Sequence, residues 1–452
     1  MSVLNCLKTR NYRLFFFGQG TSVIGNWMQD TARGWLVYSM THSPAMLGWV
    51  AFAATIMPMF VSPMAGVLAD RFSRRRLLVI AESLLMGQAF ILALLAFTGY
   101  VEVWHILFLS VTGGLIFGCE MPIRQSLVAM MVERREDLPH ALALNSFLIN
   151  GARLIGPMAA GTIIFLFESQ DPGDYRGQGI CFFVNGLSFL AVIAALLMMR
   201  FPRELHRATG HVLRNLAEGA RYVKDFLPIR TAMLLLSTIS LIGFPCYMLL
   251  PVFARDILHG DAKTFGTLQT SMAVGAVIGA LLIARRKTLY GLDRILGFGP
   301  ILFGTALICF SQSTDIWLSR GLLVLAGLGN MTLMVNNNTF IQTLVDENKR
   351  GRVMGLYGVA MLGMGPFGNL FAGWVADRFG APAMLIVGGS LCILVATVYH
   401  TQVAGMRLRY REAYLAAGIL RPEAAAPSPS PSSQVAAPGP SPQVAVREAD
   451  PA

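Results

Sequence analysis

Charged residues are scarce in this chain. Only 13% of its 452 residues are Asp, Glu, Lys or Arg, whereas 54% are apolar; soluble domains normally carry about a quarter charged residues. The few charges are clustered, and many stretches between them reach the roughly 20 apolar residues that a spanning helix needs. This composition excludes a soluble globular protein and predicts an all-α polytopic membrane protein.

Cysteine is also rare, and it offers no site. The six cysteines stand singly, and no pair has the spacing of metal ligands or of a disulfide framework. No phosphate-binding loop pattern occurs, and the Gly-x-Gly-x-x-Gly match at Gly363–Gly368 lies inside an apolar run rather than after a strand. We therefore predict no metal site, no cofactor, no catalytic residue and no enzyme activity.

The net charge of +11 is explained by membrane topology rather than by a nucleic-acid partner. The basic residues collect in alternate loops between apolar runs, and the intervening loops are poor in cations. Cationic loops stay in the cytoplasm, and Lys8, Arg10 and Arg13 precede the first span. We expect a multi-pass protein of the bacterial inner membrane with both termini in the cytoplasm and no nucleic-acid partner.

Hydropathy predicts twelve transmembrane helices in two groups of six, separated by the longest internal polar stretch. The predicted division is an N-terminal six-helix bundle (1–200), a cytoplasmic linker (201–229), a C-terminal six-helix bundle (230–402) and a disordered tail (403–452) rich in Pro, Ala and Ser. The two halves weakly repeat each other, so we expect the binding site near the midplane between them.

The end of the second predicted helix and the basic loop after it form a recognisable motif. It reads Gly66-Val-Leu-Ala-Asp70-Arg71-Phe-Ser73-Arg74-Arg75-Arg76-Leu-Leu78. Gly66 allows close helix approach, and Asp70 lies four residues before Arg74. This pattern resembles the loop between helices 2 and 3 of the major facilitator superfamily, although Ser73 replaces a usual glycine. The resemblance implies two six-helix pseudo-repeats and a gate in which Asp70 and Arg74 hold helix 2 against helices 4 and 11. The alternative is that these arginines only anchor the topology.

The fourth predicted helix carries Glu120 and Arg124, which share one helix face at i, i+4. Pairing would avoid a lone charge in an apolar environment. The resemblance implies that both belong to the same gate cluster as Asp70 and Arg74. The alternative role for Glu120 is that of a proton carrier.

The fifth predicted helix contains Asn150, Arg153, Gly156 and Pro157, an arrangement that partly resembles the helix 5 motif of drug antiporters. The Gly-Pro step predicts a bend, and Gly365-Pro366 predicts a second bend in the eleventh helix. Arg153 falls near mid-membrane, where a charge indicates function. Neutralisation of Arg153 by an acid or by carbonyl groups is the structural alternative.

Two further helices contribute predicted cavity residues. The first helix carries Asn26, Asp30 and Arg33; Asp30 is either a titratable group facing the cavity or one half of a static pair with Arg33. In the tenth helix, polar residues stand in a row, so some should face the cavity or its exit: Asn336, Asn337 and Asn338.

Four further patterns resemble the branch of enterobactin-exporter-like and macrolide-efflux-like permeases: Arg350-Gly351-Arg352, Trp35-Leu-Val-Tyr38, Leu138-Pro-x-Ala141 and Asn150-x-Ala-Arg153. Unlike most drug antiporters of the superfamily, the chain has no arginine in the middle of its fourth helix. The resemblance implies a monomeric secondary active transporter that exports a small amphipathic compound (a drug, macrolide or siderophore) by alternating access, driven by the proton gradient. The alternatives are a lipid-moving facilitator and a non-transporting scaffold or sensor.

Overall fold

The computed structural model describes residues 3–131, 138–168, 173–199, 212–285, 291–405 and 414–415, and these residues are almost entirely helical. No strand occurs among them. The predicted all-α class is therefore confirmed for this part of the chain.

The first half forms one bundle of six long helices. α1 packs on α5 and α6, α2 packs on α4, and α3 packs on α4 and α6. Local signals set some of the ends: the Ser43 side chain accepts a hydrogen bond from the Met46 N–H at the start of α2, and Gly99, at φ 72°, ends α3. The helices are α1 (Arg10–Thr41), α2 (Pro44–Arg71), α3 (Arg74–Thr98), α4 (Val103–Met130), α5 (Leu138–Leu166) and α6 (Arg176–Met198).

An amphipathic helix, α7 (Val212–Asp225), lies in the predicted linker. It packs on the second half through the ion pair of Arg352 with Glu218, at 2.8 Å. The ammonium group of Lys349 also lies 4.5 Å from the ring centroid of Tyr222. We call the side of the bundle that carries α7 the linker side, and the opposite side the far side.

The second half repeats the arrangement with seven helices. Its core is α11, which packs on α9 and α10, while α14 packs on α10. The helices are α8 (Leu227–Ile242), α9 (Ala262–Ala284), α10 (Leu292–Ser311), α11 (Ile316–Leu344), α12 (Glu347–Leu362), α13 (Gly365–Phe379) and α14 (Ala381–Gly405).

Two predicted spans of the second half are interrupted. After α8, the chain continues through short 3₁₀, α and π turns to Ile257, where Pro245 and Pro251 each remove a backbone donor. The eleventh span is broken between α12 and α13, and Pro366 lies in the first turn of α13. By contrast, α5 continues through Pro157.

Ten described segments are long and apolar enough to cross a membrane, and α10 contributes a shorter apolar run, Ile295–Ser311. α1 is 32 residues long and packs inside the first bundle, but its polar residues lower its hydropathy. Together these segments form the predicted twelve-helix fold.

The two halves meet on the far side through polar contacts. Tyr38, near the end of α1, donates a hydrogen bond to Asp256 after α8. Ser43 donates to the Asp377 carboxylate at 2.9 Å, from the start of α2 to the end of α13.

Glycines bring the helices of the two halves into backbone contact at the same side. A Cβ atom on Gly48 would strike the backbone of α13 beside Gly373, and a Cβ atom on Gly266 would strike the Pro157 carbonyl oxygen. Small residues permit such close packing between membrane helices. These contacts join the two halves on the far side.

Candidate functional site: a polar cluster between the halves

The midplane of the bundle holds a polar group drawn from both halves. Arg153, about halfway along α5, places its guanidinium carbon 5.4 Å from the ring centroid of Trp27 on α1, which is within cation–π range. In the second half, Asn330 of α11 donates to the Tyr247 hydroxyl at 2.6 Å. Arg153 and Tyr247 are neighbours, so the four side chains form one site, which we call the midplane cluster.

Of these four residues, only Arg153 is predicted from the sequence. Tyr247 lies in the irregular turn after α8, next to Pro245. A helix broken by Gly and Pro at membrane depth marks a binding site in transporters, so the Gly243-Phe-Pro245 step is the signal that could have identified Tyr247. Asn330 stands in a stretch of small and apolar residues and has no comparable signal.

The predicted cavity residues of α1 occupy two environments. Asp30 is 56% exposed and pairs with Arg33 at 2.7 Å. This contact is the one expected if the two residues form a static pair. Asn26 accepts a hydrogen bond from Asn185 at 3.3 Å, and the same amide donates to Gln29 at 2.9 Å. Asn26 therefore belongs to a polar contact inside the first bundle.

Asn150 and the three asparagines of α11 differ in their surroundings. Asn150 donates to the Ser146 carbonyl of its own helix at 2.8 Å. Asn337 is fully buried and donates to the Ala232 carbonyl at 2.9 Å, which ties α11 to α8.

Asn336 is also fully buried, and neither polar atom of its side chain has a hydrogen-bond partner within the described part of the chain. Asn338 is partly exposed and bonds to Gln342. A cavity role for these three asparagines stays a prediction.

A cluster of acids lies inside the first bundle, nearer the linker side. Glu120 pairs with Arg124 along α4 at 3.2 Å, as the i, i+4 spacing predicts. Glu82, about a third of the way along α3, interacts electrostatically with both. Glu82 and Glu120 are each only 2% exposed. We call these three residues the acid cluster; Glu82 is not predicted from the sequence, because its partners lie on another helix.

Part of the predicted gate lies outside the described residues. α2 extends to Arg71, but Gly66 and the Asp70 side chain are among the positions that the structure leaves undescribed. Arg74 is the first residue of α3 and is partly exposed. A lock between Asp70, Arg74 and the fourth helix stays a prediction.

An apolar groove follows the seam between α5 and α9. It has a volume of about 470 Å³, and its walls include Leu154, Ile155, Met158 and Thr270. Leu154 follows Arg153 in the chain, and its carbonyl oxygen accepts a hydrogen bond from Thr270 at 3.2 Å. Ile155 and Met158 are 54% and 49% exposed, so the groove faces outward beside the midplane cluster.

No three His, Cys, Asp or Glu side chains of the described residues are grouped closely enough to hold a metal ion.

The family model of the transmembrane secretion effectors matches residues 1–417. The chain belongs to the major facilitator superfamily. It is 25% identical to the staphyloferrin A transporter of Staphylococcus aureus over 404 residues, which are 88% of this chain and 98% of the relative. It is 24% identical to the multidrug efflux pump Tap of Mycolicibacterium fortuitum, with 85% and 94% covered.

Solved structures share the fold of this superfamily member. One is a bacterial homologue of the iron transporter ferroportin in its inward-facing state, with a TM-score of 0.67 and 13% identity; 87% of this chain and 98% of that one are covered. The predicted superfamily and fold are thus confirmed.

Proposed function

We propose that this chain is a proton-coupled exporter of small amphipathic compounds that works by alternating access. The observation that carries the proposal is the polar midplane cluster, which lies between two halves that contact each other on the far side. Relatives named as siderophore and multidrug transporters support the same function.

The distribution of cations supports the orientation. The loops on the linker side carry the arginines and lysines, and such loops remain in the cytoplasm. With the linker side in the cytoplasm of a bacterial cell, the contacts on the far side would close the outer face, and cargo would enter between the halves from the cytoplasm.

The acid cluster supports proton coupling. Two buried carboxylates share one guanidinium, so the cluster carries a net charge of −1 when both acids are ionised. Like charges in a low-dielectric site are costly, and one bound proton would make the cluster neutral. We assign the coupled proton to Glu82 and Glu120 rather than to Asp30, which is exposed and already paired.

Transport into inverted membrane vesicles with an acidic interior tests this assignment. The probes are ethidium, Hoechst 33342 and dansylglycine, which differ in charge. We expect at least one probe to accumulate, Glu82→Gln and Glu120→Gln to abolish the pH-driven part, and Asp30→Asn to leave it intact. Failure of all three probes to accumulate would exclude the exporter, whereas loss in Asp30→Asn alone would move the coupled proton to α1.

The apolar groove favours a lipid-moving facilitator as the second candidate. A lipid would need an apolar lateral opening beside polar groups, and the groove at the α5–α9 seam lies next to Arg153 of the midplane cluster. Proteoliposomes containing a fluorescent phospholipid separate the two functions. Lipid movement between leaflets without probe accumulation would favour the facilitator, and probe accumulation without lipid movement would favour the exporter.

A further inference from the structure

We propose that Arg153 binds an anionic group of the transported compound, so that the preferred cargo is an amphipathic organic acid such as a carboxylate. This inference rests on the proposed transport function and names the substrate class of its cavity. It begins from the contrast between Arg153 and the other arginines of the first bundle.

Arg153 has no acidic partner among the described residues, whereas Arg33 and Arg124 pair with carboxylates at 2.7 Å and 3.2 Å. Its guanidinium lies near the Trp27 ring and the Tyr247 phenol. A guanidinium carries five N–H donors, and a charge at mid-membrane depth needs compensation. An organic anion entering the cavity would supply both the charge and the acceptors.

The surroundings of Arg153 suit the rest of such a ligand. The Tyr247 hydroxyl accepts from Asn330, and its own hydrogen can donate to an anion. The buried Asn330 Oδ1 has no hydrogen-bond partner in the described segments, so it can accept from a hydroxyl or amide of the ligand. The indole of Trp27 offers an aromatic face for an apolar portion. Anion, polar group and apolar body would each meet a matching surface.

The test measures binding to the purified full chain in lipid nanodiscs. The probes are dansylglycine, a small amphipathic carboxylate, and dansylglycinamide, in which a neutral amide replaces the carboxylate; both are followed by dansyl fluorescence. A charge-assisted hydrogen bond is worth enough to change affinity by about tenfold or more. We expect wild type to bind dansylglycine at least about tenfold more tightly than the amide.

Variants of two arginines show which residue causes the preference for dansylglycine over the amide. Arg153→Gln should remove it while leaving amide binding unchanged, and Arg153→Lys should keep most of it because the charge remains. Arg176→Gln is the matched control: this guanidinium is 72% exposed and already pairs with Asp174, so the preference should persist. Retained amide binding shows that Arg153→Gln is folded.

Equal affinity of wild type for the two probes, or an undiminished preference in Arg153→Gln, would overturn the inference. The proposed function fails separately. A protein that binds dansylglycine through Arg153 but accumulates no probe in vesicles is not an exporter, while accumulation of ethidium without carboxylate preference keeps the exporter and removes the anion site.

Discussion

The sequence predicts a pairing between charged residues when the two partners lie close together along the chain. Glu120 and Arg124 stand one helical turn apart, so their spacing alone predicts the pairing. Glu82 interacts with the same two residues from α3, and no local pattern indicates which face of that apolar helix it occupies. Similarly, Arg153 is recognisable as a mid-membrane charge, but Tyr247 joins it only through packing of the two halves.

The asparagines of α11 give a prediction at the same scale. Asn337→Ala removes a buried hydrogen bond to the Ala232 carbonyl and should destabilise the protein by about 1 kcal/mol. Asn150→Ala is the control, since Asn150 bonds to a carbonyl of its own helix at a partly exposed position. Thermal unfolding in detergent, followed by tryptophan fluorescence, should show a lower midpoint for Asn337→Ala only. Equal midpoints would mean that this bond does not stabilise the contact of α11 with α8.

Helix existence was predictable at the level of elements because apolar length alone identifies most spans. Interruptions of these helices were harder to predict. Pro366 indicates the break in the eleventh span, whereas α5 continues through Pro157 because neighbouring groups can compensate for a missing donor in a packed helix. The contacts that close the far side involve glycines, whose partners depend on how the two halves dock.

Gly266 tests the seam between α5 and α9. Gly266→Val would force a side chain against the Pro157 carbonyl, so the far side should open and the linker side should close. Gly87→Val is the matched control on α3, where an added Cβ has nothing within 4 Å. Spin-label distances across the far side should lengthen in Gly266→Val and stay at the wild-type value in Gly87→Val. Unchanged distances in both variants would show that this contact does not hold the far side closed.

At the scale of the whole molecule, the two proposals predict the electrical character of transport. A proton moving inward and an organic anion moving outward transfer charge in the same sense, whereas exchange of a proton for a monovalent cation is electroneutral. Each charge that crosses is worth about 2.3 kcal/mol per 100 mV. In inverted vesicles without a pH gradient, an interior-positive potential set with potassium and valinomycin should therefore drive dansylglycine uptake. Dansylglycine uptake that does not depend on the membrane potential would contradict anion–proton exchange.

Proton movement caused by substrate is the most direct test of the central claim, which is coupled export through the cavity. Purified protein is reconstituted in liposomes with an acidic interior and an internal pH dye, and an accumulated probe is added outside. We expect the interior to become more alkaline with wild type, but not with the Glu82→Gln, Glu120→Gln double variant or with empty liposomes. Probe uptake by wild type in the same liposomes with no change in interior pH would contradict proton coupling.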